Sequence, residues 1–76
     1  MYAIEFLGYG QFTESDYEYD TGESFQHQGG RYAVGSGYKK EAKKYTSRKR
    51  AISAAEKLEI NFENCWKARV VEIGVD

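Results

Sequence analysis

The feature that constrains the fold most strongly is the alternation of larger apolar residues with polar or smaller ones in two short segments, residues 2–7 and 66–75. Along residues 2–7, Tyr2, Ile4 and Phe6 fall on one side and polar or smaller residues alternate with them. A period of two is typical of a β-strand with one buried face. Residues 66–75 alternate in the same way. The sequence therefore predicts a strand at each end of the chain, in one antiparallel sheet.

One helix is predicted between these strands, over Ser47–Glu59. Its buried face is formed by small or aliphatic residues at helical spacing, namely Ala51, Ala55 and Leu58. Thr46 or Ser47 can cap the first turn. The bases at 48–50 then have the wrong sign for the positive end of a helix dipole, at a cost of up to about 1 kcal/mol. We therefore expect this basic cluster to need an acidic partner or an external anion.

A hairpin and a third strand are predicted between residues 17 and 34. Asp20–Gly22 reads as a turn, after which Ser24–Gln28 returns as a second hairpin strand. Gly29-Gly30 predicts another turn before a strand over Arg31–Val34. The predicted fold class is α+β, a single domain over 1–76 with a small antiparallel sheet of three to five strands and one α-helix packed across it.

Size and cysteine content narrow the classes of function. The single cysteine, Cys65, excludes an internal disulfide, and one His with one Cys does not supply four ligands for a zinc site. A chain of 76 residues has little room for both a core and a deep catalytic cleft. We therefore expect a binding protein, not an enzyme, with no metal and no cofactor. An enzyme that uses His27 or Cys65 is the weakest alternative, and whether Cys65 is buried stays open.

The apolar runs are too short for a membrane span. The N-terminus also lacks the basic segment of a signal peptide. These two features predict a cytoplasmic protein with no membrane partner.

Charge is divided unevenly along the chain, although the net charge is only −1. Residues 1–30 contain six acids and no Lys or Arg, whereas residues 31–57 contain nine bases and two acids. Residues 58–76 are again slightly acidic. The division predicts two oppositely charged faces on one small domain. These faces either neutralise each other across the sheet or face apart as separate docking surfaces.

We call residues 1–30 the acidic third. In this segment carboxylates alternate with tyrosines, a pattern that can imitate a phosphate backbone with its bases. Seven tyrosines exceed what a core of this size can bury, and exposed Tyr is common at protein interfaces. A solubilising sheet edge is the alternative interpretation. The predicted partner-binding surface consists of Glu14, Asp16, Tyr17, Glu18, Tyr19 and Asp20.

The basic stretch at 39–50 suggests a second function. Lys and Arg release counterions from nucleic acid, and Tyr38 and Tyr45 can stack on bases. Nucleic-acid binders usually have a clear net positive charge, which this chain lacks. Direct RNA or DNA binding is therefore the alternative function, through Lys39, Lys40, Lys43, Lys44, Arg48, Lys49 and Arg50.

Residues 42–58 read A-x-x-Y-x-S-R-x-x-A-x-x-A-A-x-x-L, between a strand and a closing strand. This arrangement resembles small phage-encoded accessory proteins, which include host-takeover factors, anti-CRISPR proteins and restriction inhibitors. The resemblance implies a non-enzymatic protein that binds and inhibits a host protein in the host cytoplasm. That host protein is expected to be a nucleic-acid-handling, CRISPR or restriction component. An exposed strand edge would also permit a homodimer.

Overall fold

The structure, a computed structural model, describes residues 1–74. Across those residues it has a four-stranded antiparallel sheet and one α-helix. The strands are β1 (Tyr2–Leu7), β2 (Glu18–His27), β3 (Gly30–Ser36) and β4 (Lys67–Glu72), and helix α1 spans Arg48–Asn61. Single 3-10 turns lie at Glu14–Asp16 and Lys39–Glu41. The strand order is β3-β2-β1-β4, and the predicted α+β class with the helix packed against the sheet is confirmed.

The main core lies between α1 and one face of the sheet. Ile4 and Phe6 of β1 form a buried cluster with Ala55 and Leu58 of α1 and with Cys65. The alternation along β1 places Ile4 and Phe6 on the same face, as the sequence predicts. Burial of these apolar side chains is the main stabilising term of a domain that has no disulfide in the described residues.

Helix α1 begins and ends close to its predicted bounds. The hydroxyl of Ser47 accepts a hydrogen bond from the backbone N–H of Arg50 at 3.3 Å, which confirms Ser47 as the cap. At the other end the N–H of Phe62 bonds to the carbonyl of Leu58. The helix therefore extends two residues beyond the predicted end, to Asn61.

The opposite face of the sheet carries a smaller cluster. Ala3, Ala42 and Ile73 are buried there, with Tyr19 and Val71 packed against them. This cluster pins the loop that contains Ala42 to the sheet.

The same loop also separates β2 from the first half of β1. The N–H of Lys43 donates to the carbonyl of Asp20 at 2.9 Å, and Tyr45 exchanges two backbone hydrogen bonds with Tyr2. Lys43 to Tyr45 therefore occupies the place beside β1 that β2 leaves after Asp20.

The predicted turn at Asp20–Gly22 was wrong. These residues lie within the ten-residue strand β2, where a bulge shifts the pairing register with β3. Gly22 has a φ of +84°, and glycine supplies that conformation without strain. The second predicted turn, at Gly29-Gly30, lies one residue earlier in the structure, at Gln28 and Gly29, which have φ values of 50° and 82°. Positive φ values at both central residues are characteristic of a type I′ turn, which joins the two strands of a β-hairpin through a two-residue loop.

The strands predicted over 31–34 and 66–75 are both confirmed, but their ends differ from the predicted ones. The strand predicted over 31–34 extends to Gly30–Ser36. The closing strand predicted over 66–75 is shorter, Lys67–Glu72. Its predicted end at Val75 lies outside the described residues.

Candidate partner-binding site

Two of the predicted contact residues, Glu14 and Tyr17, are engaged by one arginine. Arg69 Nη1 donates to Glu14 Oε2 at 2.7 Å, and Arg69 Nε donates to Glu5 Oε1 at 2.9 Å. The guanidinium also lies 3.7 Å from the centroid of the Tyr17 ring, a cation–π contact. The hydrogen bond from Arg69 lowers the pKa of Glu14. This cluster fastens the 3-10 turn at Glu14–Asp16 to the sheet.

The carboxylates of Asp16 and Asp20 accept hydrogen bonds from backbone N–H groups close to them in the sequence. Asp16 Oδ2 accepts from the N–H groups of Phe12 and Thr13 at 3.1 and 3.2 Å, and these bonds to Thr13 and Phe12 lower the Asp16 pKa. Asp20 is only 5% exposed and accepts from the N–H of Gly22 at 3.3 Å. Burial raises the pKa of Asp20. Both carboxylates therefore accept hydrogen bonds from the backbone of their own segment.

Glu18 differs from the other five predicted contact residues. Tyr19 is half-buried against the smaller cluster, whereas the Glu18 side chain is exposed on β2. Among residues 1–74, the ion pairs within 4 Å both belong to Arg69, so Glu18 has no such pair there. Glu18 is therefore the exposed carboxylate of this set that makes no ion pair within residues 1–74, whereas Glu14 is 77% exposed but paired with Arg69.

A groove of about 750 Å³ opens beside Glu18. This volume lies within the usual range of small-ligand sites. Its walls include two carboxylates and two tyrosines, Glu18, Glu63, Tyr9 and Tyr32, and within the described part of the chain no Lys or Arg lines it. The groove therefore combines negative charge with aromatic surface.

Backbone features shape this groove. A Cβ on Gly35 would lie 3.0 Å from Phe6 Cζ and 3.2 Å from Glu18 Cβ, so a side chain there would crowd the wall. The Asn64 side chain donates to the carbonyl of Ala33 at 2.9 Å and accepts from its N–H at 2.8 Å. Asn64 thus pairs with β3 as a neighbouring strand would, and it fixes another part of the wall.

Large exposed aromatic residues lie at and beside the groove. Tyr9, Phe12 and Trp66 are 73%, 75% and 37% exposed. The Phe12 and Trp66 rings lie 5.6 Å apart, and Trp66 Nε1 donates to the carbonyl of Gln11 at 2.9 Å. Gln11 Oε1 in turn accepts from the N–H of Gly8. These contacts hold the Phe12 and Trp66 rings in place although both rings face solvent.

The seven bases predicted to bind nucleic acid are all exposed. Apart from Lys39, these bases make no ion pair within 4 Å to an acid of residues 1–74. Lys43 lies beside Asp20, and its ammonium is 5.4 Å from the Tyr45 ring centroid. In the described chain, therefore, the acidic and basic segments are not joined by side-chain ion pairs through Lys40, Lys43, Lys44, Arg48, Lys49 or Arg50.

His27 and Cys65 have unrelated surroundings. His27 is exposed on β2 and contacts the Tyr32 ring edge-on, whereas Cys65 is fully buried. Burial, with a smaller contribution from Glu59, raises the pKa of Cys65 to about 11. No group of three or more His, Cys, Asp or Glu residues that could hold a metal occurs within 1–74.

Within the same described range, no helix has the length and apolar character needed to cross a membrane. A scan against protein-family models and searches of curated proteins and of solved structures each returned no match.

Proposed function

We propose that this protein is a non-enzymatic, phage-type interaction protein that binds and inhibits a host protein. The observation that carries the proposal is the groove beside Glu18, which has acidic and aromatic walls, no base in its lining and exposed aromatic rings at its side. Aromatic residues are enriched at protein interfaces because they bury a large area with few rotatable bonds.

The charge of the groove supports a partner with a basic surface. Glu18 and Glu63 are exposed, and neither has an ion pair in residues 1–74. Nucleic-acid-handling proteins, including CRISPR and restriction components, have basic surfaces that attract such carboxylates. Inhibition then follows from occupying the surface where that host protein binds nucleic acid, in the host cytoplasm.

The test is capture of a protein from host lysate on the immobilised full chain, with and without nuclease. The expected result is a partner that is retained after nuclease treatment and that loses its activity when the purified chain is added. Retention that depends entirely on nucleic acid, or a partner whose activity does not change, would contradict the proposal.

A matched pair of tyrosine variants locates the contact surface. Tyr9→Ser removes a 73% exposed ring at the groove, and Tyr38→Ser removes a 68% exposed ring directly before the basic stretch. We expect Tyr9→Ser to weaken capture about tenfold, as loss of an interface hot spot does. Tyr38→Ser should leave capture unchanged, and equal losses in the two variants would argue against the groove.

Direct binding of RNA or DNA is the second candidate function. It is favoured by the six exposed bases of the 39–50 stretch that have no ion pair in residues 1–74. The test is a gel shift with single- and double-stranded oligonucleotides, in which affinity should fall steeply with salt. The variant Lys44→Gln/Lys49→Gln/Arg50→Gln should abolish the shift, whereas no shift for the unmodified chain at low salt would remove this candidate.

A further inference from the structure

Within the fold, the guanidinium group of Arg69 is bound by an aromatic ring and two carboxylates. Arg69 lies over the Tyr17 ring at 3.7 Å and donates to the carboxylates of Glu5 and Glu14 at 2.7–2.9 Å. Planar guanidinium matches both the aromatic face and the two oxygens of a carboxylate. One ring and two carboxylates are thus sufficient to fix an arginine in this protein.

The groove presents the same groups without an arginine. Glu18 and Glu63 supply two carboxylates, and Tyr9 and Tyr32 supply the rings. A Cβ built on Gly30 would lie 2.8 Å from Glu63 Cγ and 3.3 Å from Tyr32 Cε2, so this carboxylate and this ring are neighbours. Among residues 1–74, no Lys or Arg lines the groove.

We propose that the groove binds an arginine side chain, within a basic segment of the partner protein. This inference rests on the proposed function and specifies the chemistry of the partner at that surface. Arginine is favoured over lysine because a compact ammonium neither stacks on a ring nor bridges two carboxylate oxygens in a fixed plane. The groove volume of about 750 Å³ exceeds a single side chain and leaves space for flanking residues.

The test uses fluorescein-labelled hexa-arginine and hexa-lysine peptides with the full-length chain at physiological ionic strength. Fluorescence anisotropy should give tighter binding for hexa-arginine. Backbone amide NMR shifts on adding hexa-arginine should concentrate at Gly8, Gly35 and Asn64. Equal affinity for the two peptides, or shifts spread over the whole surface, would overturn the inference.

A pair of charge-matched variants separates the groove from general acidity. Glu18→Gln/Glu63→Gln removes the groove carboxylates, and Glu23→Gln/Glu56→Gln removes two exposed carboxylates that do not line the groove. The groove variant should weaken hexa-arginine binding roughly tenfold or more, because charge-assisted hydrogen bonds are lost. The control variant should change it less than about twofold, since exposed charges at a distance are screened by salt.

The remaining outcomes distinguish this inference from the function on which it rests. If a host protein is captured and inhibited equally by the groove variant, the arginine site is wrong and the proposed function stands. If hexa-arginine binds the groove but no host protein is captured, the arginine site stands and the proposed function fails. Sedimentation showing a dimer that the groove variant dissociates would assign the groove to Arg48 or Arg50 of a second copy and overturn the partner-protein inference.

Discussion

Burial decides the chemistry of Cys65, the one thiol of the chain. The side chain is fully buried, and burial raises its pKa to about 11. Because the thiolate is the reactive form, the native thiol should be inert at neutral pH. We predict that Ellman's reagent does not label the native protein at pH 7.5 but labels one thiol per chain in urea. Rapid labelling without denaturant would contradict the buried placement.

Asp20 is expected to make the stability of the fold fall as pH rises. Burial raises the Asp20 pKa above its ordinary value of 3.8, so the native state holds this proton more tightly than the unfolded state does. The unfavourable contribution therefore appears as pH rises from the unfolded pKa through the native pKa. Asp20→Asn keeps an oxygen that can accept from Gly22 and removes the charge.

The measurement for Asp20 is urea unfolding of both proteins at pH 3 and pH 7. The difference in unfolding free energy should shift in favour of Asp20→Asn at pH 7. Asp16→Asn is the control with the opposite sign, because hydrogen bonds from Thr13 and Phe12 lower the Asp16 pKa and its stabilisation is lost as pH falls. If the difference in unfolding free energy between Asp20→Asn and the unmodified protein is the same at both pH values, the pKa of Asp20 is not raised by burial.

At the scale of elements, the loop after α1 completes the sheet. The Asn64 amide forms two hydrogen bonds with Ala33, and the N–H of Glu63 donates to the carbonyl of Arg31 at 2.8 Å. Asn64→Ala should lower the free energy of unfolding by about 1–3 kcal/mol, because two backbone groups of β3 lose their partner. Asn61→Ala, at the exposed end of α1, should change it by less than about 0.5 kcal/mol. Equal values in urea unfolding would show that the loop does not support β3.

The regular elements could be predicted because their residues follow one period from end to end. Alternation identified β1, and helical spacing with a cap identified α1. The hairpin turn was predicted at Gly29-Gly30, one residue after its position at Gln28 and Gly29, but the additional turn at Asp20–Gly22 was wrong. The error arises because Asp-Thr-Gly is a turn signal in local chemistry and Gly22 does adopt a positive φ. What the local sequence does not contain is the register with β3, which turns this kink into a bulge.

At the scale of the whole molecule, the candidate site was only partly foreseeable. Glu18 was identified, but Tyr9, Tyr32 and Glu63 come from three separate segments that meet only in the fold. A signal did exist for Tyr9, a large aromatic residue between two glycines where no strand period continues. The use of Glu14 by Arg69 depends on a contact between residues 55 positions apart, which no local pattern contains.

The distribution of charge gives the last prediction. Arg69 is the base that fixes two acids in residues 1–74, whereas Lys44, Lys49 and Arg50 have no ion pair there. Arg69→Gln should lower the free energy of unfolding by roughly 1–2 kcal/mol, through loss of the Tyr17 contact and the hydrogen bond to half-buried Glu5.

The triple variant Lys44→Gln/Lys49→Gln/Arg50→Gln removes three charges and should leave the fold as stable or a few tenths of a kcal/mol more stable, because Lys49 and Arg50 oppose the dipole in the first turn of α1. Urea unfolding at low and high salt measures both proteins. If the triple variant loses as much stability as Arg69→Gln, these bases neutralise the acidic third within the molecule. If it loses none, Lys44, Lys49 and Arg50 are held in the fold without a counter-charge from residues 1–74, and their charge is available to an external anion.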